Sequence, residues 1–174
     1  KRYADAIKYA EAHVAALKGV ARGASATQGQ VSFCVSLLQA AYAGGTMAAE
    51  QSQRLASLGL AGLIKIGQRG TAKQLMTKYD IQLDANAGFY WQWLHGQQLF
   101  EAAEKSKKPE DHAAAAATLA QALRDPAAND DLGSAGQCRS QLAWCRFRLE
   151  EFDAAGRDFQ LAAERLIAAR DTRA

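Results

Sequence analysis

Few residues in this chain could do chemistry, and they are scattered. The three histidines, His13, His95 and His112, lie far apart in sequence, with no nucleophile or acid at a spacing that would make a triad. No CxxC or HExxH pattern offers a metal a closely spaced set of ligands. His13 falls near the apolar stripe of a predicted helix and His112 near a helix start, which points to structural or surface roles. Neighbouring carboxylates could run general acid–base chemistry, but Glu150-Glu151 and Asp130-Asp131 fall in predicted turns. Adjacent acids there are solvated or sit near helix ends, where the backbone dipole favours them. No GxSxG, P-loop or GxGxxG is present, and the Gly59-x-x-Gly62 spacing lies inside a helix, where it permits close packing. The expectation is a non-enzyme with no metal or cofactor.

The cysteines agree. Cys34, Cys138 and Cys145 do not make a disulfide framework. Cys138 and Cys145 fall on one predicted helix about 10 Å apart by its rise, too far to bridge, and share a face with Leu142 and Leu149. They read as buried small hydrophobes. Unpaired cysteines point towards a reducing, cytoplasmic setting. The one stretch richer than a core requires is Phe89, Tyr90, Trp91 and Trp93. Consecutive aromatics on a helix cannot all face one way, so at least one should leave the buried stripe.

The elements that must position these residues are helices. Alanine is abundant, β-branched residues are sparse, and the only two prolines, Pro109 and Pro126, stand where a helix should start or stop. Apolar residues at three- and four-residue steps predict helices at about 2–18, 28–43, 47–66, 71–79, 85–105, 110–124, 135–149 and 152–169. The first carries Tyr3, Ala6, Ile7, Ala10, Val14 and Leu17, and the second Val31, Val35, Leu38 and Tyr42. Thr46 and Asp84 are the expected N-caps of the third and fifth. No apolar run is long enough to span a bilayer, and no signal peptide is visible. A net charge of +3 is too small and too scattered to argue by itself for nucleic acid; the basic cluster Lys105, Lys107 and Lys108 reads as a solvated loop.

The clearest unit runs from Gln137 to Ala169. Leu142 and Ala143 are followed by Phe147, then Phe152, Ala155, Phe159 and Ala162. These spacings resemble the tetratricopeptide repeat, a helix-turn-helix unit of about 34 residues. In that family small residues let the two helices touch while aromatics fill the space between successive hairpins. Arg139, Ala143 and Arg146 depart from the tryptophan, glycine and tyrosine the family prefers. Tyr3, Ala6-Ile7 and Ala10 resemble a second helix whose partner would lie upstream of Lys1. Residues 85–124 resemble a further pair: Trp91 and Leu94 in its first helix, Ala115, Leu119, Ala122 and Pro126 in and after its second, with EKSKKPED inserted at the turn. Trp93 to Phe100 has the right aromatic spacing too, so two registers stand. The middle of the chain resembles the pattern only loosely.

The resemblance implies an all-α, right-handed superhelical solenoid of about eight antiparallel helices. It implies one domain over 1–174, an excerpt of a longer protein whose unfinished ends could be covered by another chain or by self-association. It also implies a concave surface built from first helices, presenting Tyr90, Trp93, Gln97, Gln137, Ser140, Gln141, Trp144 and Arg148 to a protein or peptide. Trp and Arg suit that task because they bury large area with one polar handle. The expected function is a non-catalytic binding scaffold. Two alternatives stand beside it: a nucleic-acid-binding helical repeat using Arg139, Arg146 and Arg148, or a helical appendage of an enzyme whose active site lies elsewhere.

Overall fold

The computed structural model describes residues 2–17, 27–43, 47–81 and 88–171. Among them every regular element is helical: α1 (Arg2–Ala16), α2 (Gln28–Tyr42), α3 (Ala49–Lys65), α4 (Arg69–Lys78), α5 (Phe89–Ser106), α6 (Pro109–Ala122), α7 (Ala127–Asp130), α8 (Leu132–Arg148) and α9 (Phe152–Asp171). They form two compact units, Lys1–Gln82 and Leu83–Ala174. The expected caps Thr46 and Asp84 lie outside the described residues.

In the first unit α2 and α3 form an antiparallel pair around Cys34, Leu38, Leu55, Leu60 and Leu63, all buried. Two glycines make the close approach possible. A Cβ on Gly59 would lie 2.8 Å from the Cys34 carbonyl oxygen, and one on Gly62 would lie 2.5 Å from Cys34 Sγ. α2 starts with a capping box that the sequence reading passed over. Gln30 N donates to Thr27 Oγ1 (3.2 Å) while Thr27 N donates to Gln30 Oε1 (2.9 Å). α1 packs chiefly on α3 and buries Ala10, Val14 and Leu17, whereas Tyr3 and Ala6, expected on the same stripe, are exposed.

The second unit consists of two antiparallel pairs, α5/α6 and α8/α9, with α6 packed on α8 and α5 touching α8. The small residues do what the spacing suggested: Ala115, Ala122, Ala143, Ala155 and Ala162 are all buried, as are Leu119 and Leu142. Each pair turns through a left-handed residue other than glycine, Lys107 (φ 60°) and Glu150 (φ 62°).

Two expectations for this unit need correcting. EKSKKPED is not a looped insertion: its first residues continue α5 to Ser106 and Pro109 begins α6, so Lys107 and Lys108 alone join them. Pro at the first helical position explains the short turn, since its missing N–H would be unpaired there anyway. The stretch after Pro126 was expected as loop but contains α7. Asp125 accounts for it, accepting from Ala127 N through Oδ1 (2.8 Å) and from Phe89 N through Oδ2 (3.1 Å). One carboxylate thus satisfies the first turns of two helices.

Candidate interaction surface

The residues expected to line a groove fall into two groups, one spent on joining helices and one left open. The joining group lies between α5 and α8. Trp93 is buried, stacks on Phe89 with ring centroids 5.7 Å apart, and donates from Nε1 to Gln141 Oε1 at 2.8 Å. Tyr90, the aromatic of its cluster that leaves the buried stripe, is half-buried and donates its hydroxyl to Asp131 Oδ2 at 2.9 Å. Burial first, and then the Asp131 carboxylate, push the Tyr90 phenol well above its ordinary pKa. Asp131 also accepts from Ser134 N through Oδ1 (3.0 Å) and caps α8, at the kind of helix end expected for its acidic pair.

Arg148 completes this group. Its guanidinium forks onto Glu104, Nε to Oε1 at 3.0 Å and Nη2 to Oε2 at 3.2 Å. Lys107 Nζ donates to the same carboxylate (3.0 Å), and the buried His112 brings Nε2 within 3.8 Å of it. The Arg148 and Lys107 hydrogen bonds hold the Glu104 carboxyl below its ordinary range. Gln97 is half-buried and donates to Glu101 Oε1 at 3.2 Å, while its own Oε1 is buried without a hydrogen-bond partner. Ser140 is half-buried on α8 and Gln137 is exposed.

The open group centres on Trp144, which is 45% exposed. Its ring meets Phe147 edge-on at 5.8 Å and Phe159 at 5.4 Å, and Phe147 meets Phe152 at 5.6 Å. Phe147 and Phe152 are themselves 43% and 58% exposed. The tryptophan was expected on a surface; the three phenylalanines were assigned to packing between hairpins. The i, i+3 spacing of Trp144 and Phe147 was the available signal, since it puts both on one side of α8. Phe159 occupies in α9 the place Leu119 holds in α6. Leu119 is fully buried beneath α8, where the Cys138 thiol approaches its carbonyl oxygen at 3.7 Å. Among the described residues no helix follows α9, and Phe159 stays half-buried.

Arg139 and Arg146 both pair with Asp158. Arg139 Nη1 donates to Asp158 Oδ1 at 2.8 Å, and Arg146 Nη1 donates to Asp158 Oδ2. The buried Asp158 joins these two arginines across α8 and α9. With Arg148 on Glu104, none of the three cations proposed for nucleic acid is a free surface charge.

The described residues hold no cluster of three histidine, cysteine or acidic side chains able to bind a metal. No described helix is long and apolar enough to cross a membrane. Burial pushes the Cys34 thiol up to about 11 and the Cys145 thiol, with the Glu104 charge as a lesser cause, up to about 12, so neither is a ready nucleophile. No protein-family model matches the chain, and neither a curated protein nor a solved structure matches it.

Proposed function

We propose that the chain is a tetratricopeptide-like scaffold module, without catalytic activity, that binds a protein or peptide partner through its α8/α9 hairpin. The observation that carries this reading is the open aromatic group, Trp144, Phe147 and Phe152 around Phe159. Contiguous exposed aromatic surface is costly to leave in water and is typical of binding sites. The stacking of α6 on α8, with alanine at the contacts, supports the solenoid reading. Arg139, Arg146 and Arg148, the arginines on which the nucleic-acid reading rests, are all ion-paired.

Anchoring here is apolar, with Ser140 one helical turn before Trp144 on α8. Arg148, paired with Glu104, is not a free charge beside it. A peptide-display selection tests the proposal. Selected peptides should lose at least about tenfold in affinity for Trp144→Ala, the loss expected of an interface hot spot. Peptides that bind the wild type and Trp144→Ala equally would place recognition elsewhere.

A further inference from the structure

We propose that α1 is a detachable strap: it undocks from α3 as a unit while the α2/α3 pair stays folded. Its buried anchorage is thin. Of its described side chains only Ala10 and Val14 are fully buried, joined by Leu17 just beyond its end. Tyr9 is 70% exposed, and Tyr3 is exposed at the mouth of a cavity it lines with Ala40, Tyr42 and Ser52. α2 and α3 meet more extensively, and the unit's most deeply buried side chains, Leu38, Leu60 and Leu63, lie on them.

Four contacts hold the strap, one of them to α2, where the His13 and Phe33 ring centroids lie 4.1 Å apart. Val14 and Leu17 converge on the notch left by Gly62, where a Cβ would lie 3.6 Å from Val14 Cγ2, 3.4 Å from Leu17 Cδ1 and 2.5 Å from Cys34 Sγ. Arg54 Nη2 pairs with Glu11 Oε1 at 2.9 Å, with both side chains substantially exposed. Lys65 Nζ donates to the carbonyl oxygens of Val14 (3.3 Å) and Ala15 (2.9 Å), satisfying the open C-terminal turn of α1. The last two are solvent-accessible polar contacts of the kind that adds little to stability. Local opening follows such gradients in buried contact. The Cys34 thiol, fully buried where α1, α2 and α3 meet, is uncovered when the strap lifts.

Hydrogen exchange and thiol labelling of the full chain test this together. Amides of residues 6–17 should exchange at least about tenfold faster than those of 60–64 in α3, the order expected of sub-global opening. Labelling of Cys34 by the aromatic disulfide dithiobisnitrobenzoate should keep pace with the α1 amides, not the α3 amides. Arg54→Ala and Lys65→Met should speed both α1 exchange and Cys34 labelling while leaving residues 60–64 unchanged. Cys34 labelling no faster than α3 exchange, or variants that speed α3 equally, would show that α1 opens only with the whole unit and would overturn the proposal.

Discussion

Trp93 and Trp144 are two tryptophans on first helices with opposite circumstances, and their substitutions should separate accordingly. Trp93 is 1% exposed and its indole N–H is paired with Gln141. Trp93→Ala should therefore destabilise the second unit by about 3–5 kcal/mol, read as a drop in thermal midpoint. Trp144→Ala should cost about 1 kcal/mol or less, because much of its ring is already in water. Asp158 is a second residue-scale test. Its side chain is 4% exposed between Arg139 and Arg146, so Asp158→Ala leaves two guanidinium groups without their shared anion. A loss of about 3 kcal/mol in denaturant unfolding is expected. Glu104 sets an acid limit. Its carboxyl is held below the ordinary 4.5, so what Arg148 and Lys107 contribute through it is fully present above 4.5 and is lost as pH falls through the lower folded value. Glu104→Gln should flatten that part of a melting-temperature profile recorded from pH 7 downwards.

At the scale of elements, glycine decides how closely helices meet. Gly62→Ala would press a methyl against Cys34 Sγ where α1 and α2 also converge, and Gly96→Ala would meet Leu119 Cδ2 at 2.7 Å. Each should cost about 1–3 kcal/mol by overpacking, whereas Gly156→Ala, with open space around it, should be neutral or stabilising in the same unfolding assay. Helix positions were largely readable from apolar periodicity, because every long element buries one stripe. What escaped were features set by side chains distant in sequence. Asp125 caps α5 from 36 residues away, and no local pattern announces that Phe89 begins the helix under its carboxylate. The lysines of EKSKKPED suggested a long solvated insertion, yet only Lys107 and Lys108 lie between α5 and α6.

At the scale of the molecule, the sequence signals separated small contact residues from groove residues only in part. Ala143, Ala155 and Ala162 were identifiable as contacts because close helix pairs need small side chains at fixed spacing. The open face of α8 was identifiable at Trp144, but Phe147 and Phe152 beside it were assigned to packing between hairpins and are exposed. Apolar anchoring also fixes the salt response: peptide affinity should change little between low and physiological salt, in contrast to the steep fall of a phosphate-binding surface. The most direct test measures peptide affinity and melting temperature side by side for the wild type and Trp144→Ala. The account predicts at least about a tenfold loss of affinity with a melting temperature within a few degrees of wild type. A large fall in melting temperature with affinity preserved would make Trp144 a core residue and contradict the proposed surface.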